Sequence, residues 1–177
     1  GAFFVMAMVV YRILPGVMQD EYIYSTQARH VPFSAQIFPN YLFSWVYSST
    51  SICGDGFYSC AKNLNILFFA AALLFVYLIS REVLSQGRAI AVTTITALSP
   101  LSFSMSFFMP ESMYFAFMLA TVWLVIHAVD KRVAAYWIYS GIALGLTALV
   151  KPHAMFAIPA LALFIFIVTF RNQQRSL

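Results

Sequence analysis

Apolar residues along the chain gather into unbroken runs instead of alternating with polar ones. The runs cover about 1–17, 64–80, 89–109, 112–129, 133–150 and 154–170. Each is close to the roughly 17–25 residues that carry a helix across a hydrocarbon layer. None shows the two-residue period of a barrel strand, and a backbone in lipid must satisfy its own hydrogen bonds. The pattern therefore predicts an all-α, polytopic transmembrane bundle of about six helices forming one domain over residues 1–177.

The polar connections between runs sort by charge. "SREVLSQGR" carries Arg81 and Arg88, "DKR" carries Lys131 and Arg132, and "FRNQQR" carries Arg171 and Arg175. Basic residues favour the cytoplasmic side, which sends the segment 18–63 and the turns "FMPES" and "VKPHA" to the opposite, extracytoplasmic face. Segment 18–63 holds Trp45 and the tyrosines Tyr22, Tyr24, Tyr41, Tyr47 and Tyr58, with Pro32 and Pro39 as breaks. Aromatic, amphipathic chain of this kind lies in the headgroup layer, so short interfacial helices are expected at about 33–38 and 40–49.

Composition strengthens this picture. Charged residues make up 9% of the chain and hydrophobic ones 62%, with a mean hydropathy of +0.83. An ordinary soluble domain has about 25% charged residues, so that class is excluded. The net charge of +4 comes from Lys and Arg at segment ends instead of along one face, which fits membrane anchoring and not nucleic-acid binding.

Of only six acids, four fall on the extracytoplasmic face, and one of these, Asp55 between Gly54 and Gly56, is read as a turn residue. Asp20 and Glu21 adjoin the end of the first run, where a low-dielectric neighbourhood can tune a carboxylate toward general-base work. Glu111 follows Pro110 at the start of a run; as a helix-initiating residue it is also favoured by the dipole. Lys151 precedes Pro152 and His153. Its ammonium either snorkels or binds a phosphate at headgroup level, and its position against the positive-inside bias asks for a partner. His153 offers a further hydrogen bond, and Arg12 and Arg29 add positive charge for a carboxylate or phosphate, with His30 beside Arg29. Asp20 and Glu111 are also candidate ligands for one Mg²⁺ or Mn²⁺. His127 lies about 24 Å along its helix from Glu111 and is left out of the site.

Cys53 and Cys60 frame "CGDGFYSC". On an oxidising face of the membrane they are expected to form a disulfide, with Gly54 and Gly56 supplying the turn; two Cys without a nearby His make a poor zinc site.

The acidic pair within a long aromatic outer segment, then "SPLSFSMSFFMPES", then "GIALGLTALVKPHAMFAIPALALF" resembles the GT-C type polytopic membrane glycosyltransferases, most closely the protein-mannosyltransferase and aminoarabinose-transferase type. The resemblance implies transfer of a sugar from a polyprenyl-phosphate donor to a glycan, lipid or protein acceptor, with inversion and without a covalent sugar intermediate. It implies a site on the outer face of a bacterial inner membrane or in the lumen of the endoplasmic reticulum. By position, Asp20 or Glu21 is the acid that deprotonates the acceptor, Glu111 the acid of the second outer loop, and Lys151 the basic residue before Pro, near the donor phosphate. Relatives of this type commonly have more helices and often a soluble C-terminal domain, so the chain is expected to be the N-terminal catalytic part of such a fold, to rely on a partner subunit, or to be a shortened relative.

Two other classes compete with this reading. A flippase or transporter of lipid-linked substrates normally places ionisable groups near the membrane midplane, and the central stretches of the second to sixth runs carry none. A noncatalytic membrane subunit would use the outer acids only to bind its partner.

Overall fold

The computed structural model describes residues 19–131 and 133–174. Among these the chain is helical throughout, with no strand. The helices are α1 (Gln19–His30), α2 (Tyr41–Ser48), α3 (Phe57–Arg81), α4 (Gln86–Leu98), α5 (Glu111–Lys131), α6 (Ala134–Val150) and α7 (Ala157–Gln174). Short 3-10 turns occupy Phe33–Ala35, Ser49–Gly56, Pro100–Ser106 and Pro152–Phe156. The first apolar run, with Arg12, lies outside the described residues.

Among the described residues, two stretches have the length and hydropathy to cross a membrane: Tyr41–Arg81, of which α3 is the regular part, and Glu111–Lys131. At 1.5 Å per residue, α3 is about 37 Å long and α5 about 31 Å, against a hydrocarbon layer of about 30 Å. Their packing is that of membrane helices. The inward positions of α6 are Ser140, Ala143, Thr147 and Val150, and those of α5 include Ser112, Ala116, Thr121 and Ala128. Small side chains let the two backbones approach, and the Thr121 and Thr147 hydroxyls meet 3.4 Å apart. Large apolar residues such as Ile138, Ile142, Leu149, Leu163 and Phe166 face outward instead. A small, polar interior under an apolar exterior inverts the soluble pattern, as lipid requires.

The structure departs from the expected elements in two places. The run 89–109 is not one helix: α4 ends at Leu98 and Ser99 is extended (φ −74°, ψ 164°). The cause is Pro100, whose ring disfavours the helical region for the residue before it. Helix α1 is the second departure, since its sequence has no apolar stripe to announce it. Asp20 and Glu21 in its first turn and Arg29 and His30 in its last complement the helix dipole. Gln27 then fastens it: its Oε1 accepts the Ile37 and Phe38 N–H groups, and its Nε2 donates to the Phe38 carbonyl at 2.8 Å. The interfacial elements expected at 33–38 and 40–49 take the form of the 3-10 turn Phe33–Ala35 and helix α2.

A core of Phe43, Tyr47, Ala61, Phe108, Met113 and Val150 joins α2, α3, the 107–110 loop, α5 and the end of α6. Phe108 sits in an aromatic box, with the rings of Phe43, Tyr47, Phe57 and Tyr58 all within 6.2 Å of its centroid. The loop that leads into α5 is thus anchored by its own side chain.

Candidate active site

Pro110 gives its carbonyl to the Tyr114 N–H at 2.8 Å and opens α5, which places Glu111 in the first helical turn. Lys151 follows the end of α6 with extended backbone (φ −152°, ψ 117°), the conformation that the next residue, Pro152, imposes. These two turns bring the side chains together: Lys151 Nζ donates to Glu111 Oε1 at 2.7 Å. The pair is only about a quarter exposed, 23% for the lysine and 28% for the glutamate. The other oxygen, Glu111 Oε2, is buried and has no hydrogen-bond partner among the described residues.

Tyr24 brings α1 to this pair. Its phenol is pushed above the ordinary tyrosine value, first by burial and then by the Glu111 carboxylate; Lys151 and a hydrogen bond with Asn40 oppose the rise, and Asp20 adds to it. The same phenol therefore feels Asp20, Glu111 and Lys151 together, and Asn40 is buried beside it.

The adjacent acids of α1 have different surroundings. Asp20 is exposed, whereas Glu21 is 3% exposed and its Oε1 accepts the Phe108 N–H at 2.8 Å. Successive helical residues point about 100° apart, so one carboxylate turns inward and the next turns to the open side.

The remaining sequence candidates are dispersed. Arg29 lies with its guanidinium 3.6 Å from the centre of the Phe57 ring, a cation–π contact. His30 and His153 are exposed, the latter edge-on to Phe156. Cys53 and Cys60 are joined by a disulfide that ties the turn Ser49–Gly56 to the start of α3, and Gly54 takes the left-handed backbone (φ +53°) of that turn. No group of three or more His, Cys, Asp or Glu side chains gathers among the described residues, so Asp20 and Glu111 are not joined by a third side chain of these types.

Sequence reasoning did not single out Tyr24, Asn40 or Asn65. Asn65 is wholly buried in α3, with Tyr47 donating its hydroxyl hydrogen to Asn65 Oδ1. Its only signal in the sequence is a neutral amide near the start of an apolar run, a type of residue that in a membrane helix needs partners.

Comparison with protein-family models decides the wider class. The model for dolichyl-phosphate-mannose-protein mannosyltransferase matches residues 39–177. The chain belongs to this mannosyltransferase family. It is a membrane glycosyltransferase of the mannosyltransferase type. The matched stretch contains Glu111, Lys151, His153, Asn65 and the disulfide, while the acid pair of α1 and Arg29 precede it. No curated protein and no solved structure matches the chain.

Proposed function

We propose that the protein transfers a sugar from a polyprenyl-phosphate donor to an acceptor hydroxyl on the extracytoplasmic face of a multi-pass membrane domain. The observation that carries this reading is the Glu111–Lys151 pair, set in two turns at one end of the bundle, with Tyr24 of α1 feeling both of its charges and that of Asp20 one turn earlier on the same helix. At the other end of α5, His127 stands 3.6 Å from Glu82, which follows α3. His127 lies sixteen positions after Glu111, about 24 Å along the helix, close to a membrane's thickness. The two ends of the bundle therefore belong at opposite faces, with Arg81, Arg88 and Lys131 on the cytoplasmic side.

In the proposed reaction the acceptor oxygen attacks the anomeric carbon as the bond from that carbon to the phosphate oxygen breaks. The phosphate leaves with the bonding electrons, and the acceptor's proton passes to Asp20. We assign the base to Asp20 and not Glu21 because an exposed carboxylate can meet an incoming hydroxyl, whereas the Glu21 oxygen is held by a backbone N–H. Lys151 stabilises the charge that grows on the leaving phosphate, and Glu111 holds the ammonium in place. A groove of ≈ 490 Å³ lined by Phe33, Tyr41, Leu42, Trp45 and Leu149, the last of which stands two positions before Lys151 in the chain, offers an apolar surface for part of a lipid-linked donor.

Membranes containing the wild type, Asp20→Asn, Glu111→Gln or Lys151→Met at matched expression would be supplied with labelled sugar on polyprenyl-phosphate donors. Loss of transfer in Asp20→Asn with donor binding retained is the expected result. Undiminished transfer in all three variants overturns the site, and a wild type that binds donor without transferring sugar points to a noncatalytic subunit.

A further inference from the structure

The peptide group between Phe107 and Phe108 is gripped at both ends by side chains from different helices. Its carbonyl accepts from Asn65 Nδ2 of α3 at 2.5 Å, and its N–H donates to Glu21 Oε1 of α1 at 2.8 Å. The carbonyl and N–H of a trans peptide point in opposite directions and share one plane, so two such bonds fix the plane's orientation. Asn65 Nδ2 also reaches the Met105 carbonyl at 3.3 Å, and Tyr47 orients the amide from behind through Oδ1. Asn65, Tyr47 and Phe108 are all essentially inaccessible, so these bonds are not exchanged for water.

Three residues separate this peptide from Glu111, and Pro110 restricts the backbone of one of them. The Phe107 carbonyl accepts a second bond from the Met109 N–H at 2.9 Å, which curls the connection tightly. Rotation of the clamped peptide would therefore move the first turn of α5 relative to Lys151, which hangs from a separate helix.

We infer that Asn65 is a positioning residue for Glu111: through the Phe107–Phe108 peptide, which Glu21 holds from the other side, it sets the carboxylate against Lys151. The inference deepens the function proposed above by giving that site its support. Asn65 touches no reacting group and acts only through the loop.

The test needs a readout that global destabilisation would not mimic. Acylation of Lys151 by an amine-reactive reagent, followed by mass spectrometry of the purified full chain in detergent, reports whether the ammonium is held by Glu111. Lys131, at the far end of α5, serves as the internal control. Glu111→Gln should label several-fold faster at Lys151 than the wild type, Asn65→Leu should match it, and the double variant should add nothing further, with Lys131 unchanged throughout. Tyr47→Phe, which removes one hydroxyl and keeps the ring, should give a smaller increase of about two- to threefold, consistent with loss of a single orienting hydrogen bond. In the transfer assay, Asn65→Leu should lower kcat per folded enzyme about 10- to 100-fold with little change in donor KM, and this effect should vanish in the Glu111→Gln background.

Wild-type labelling of Lys151 in both Asn65→Leu and Tyr47→Phe overturns the inference, as does an increase at Lys131 equal to that at Lys151. If labelling responds as expected while Glu111→Gln transfers sugar normally, the positioning role stands and the proposed role of Glu111 in transfer falls.

Discussion

Lys151 and Glu111 lie forty residues apart in the chain, and their side chains meet at 2.7 Å across the junction of α5 and α6. Each sits at a turn made by a proline: Pro110 precedes the glutamate and Pro152 follows the lysine. The prolines end or begin helices without using a backbone N–H, which brings a charged side chain to the end of each apolar helix without burying it at mid-depth. The pair is partly screened, so its value lies more in geometry than in stability.

The first prediction follows from that balance. Lys151→Met should lower unfolding stability by only about 1 kcal/mol, because Glu111 remains partly solvated. Transfer should fall about 100-fold or more if the ammonium stabilises the departing phosphate. Lys151→Arg keeps the charge but changes its shape, and should recover part of the loss. Thermal unfolding in detergent and transfer rates on the same preparations separate the two effects. A stability loss of several kcal/mol with transfer falling only in proportion to folded protein would assign Lys151 a structural role alone.

Glu21 tests the opposite balance. Glu21→Ala leaves the buried Phe108 N–H without this acceptor, a loss of about 1–3 kcal/mol, whereas Glu21→Gln keeps an oxygen in place and should cost less than about 1 kcal/mol. Unfolding midpoints of the two variants should therefore differ clearly, with Gln close to wild type. If Glu21→Gln abolishes transfer while preserving stability, the base belongs to Glu21 instead of Asp20.

Much of this site was legible in the sequence, for identifiable reasons. Glu111 and Lys151 stood out because a charge at the end of an apolar run has few places to go. Choosing between Asp20 and Glu21 required the structure, since adjacency says nothing about which residue of a helix turns inward. Helix α1 escaped because amphipathic periodicity is the main helical signal, and its stability comes instead from end charges and the Gln27 clasp. Only Pro100 announces the break at Ser99–Pro100, and apolar residues continue through it, so hydropathy alone does not divide the run. Asn65 had no spacing signature at all; its partners are the Tyr47 hydroxyl and backbone groups some forty residues away.

The disulfide gives a third prediction. Cys53 and Cys60 are separated by seven residues, and closing a loop of that length removes unfolded-state freedom worth about 2–3 kcal/mol in the chain-entropy model. Cys53→Ser or reduction should lower stability by about that amount. The bond ties the turn ahead of α3 to the start of that helix, whereas Glu111 and Lys151 are held by the turns at α5 and α6, so kcat per folded molecule should change less than about twofold. A large loss of kcat without unfolding would show that the Ser49–Gly56 turn contributes to the site.

Tyr24 supplies the pH dependence. Its folded-state value is raised, chiefly by burial and then by Glu111, so the unfolded chain ionises this phenol first as pH rises past about 10. The sign follows from linkage: the contribution to stability is fully present below that value and is lost as pH climbs toward and through the folded one. Phenolate absorbance of the wild type minus that of Tyr24→Phe should therefore appear later than for a free tyrosine. Glu111→Gln should move the transition down, since it removes an upward cause, and Lys151→Met should move it up, since it removes a downward one. Opposite displacements in these two variants would establish that Tyr24 senses both members of the pair. Identical titration in all three proteins would separate α1 from the Glu111–Lys151 site and leave Asp20 without a route to it.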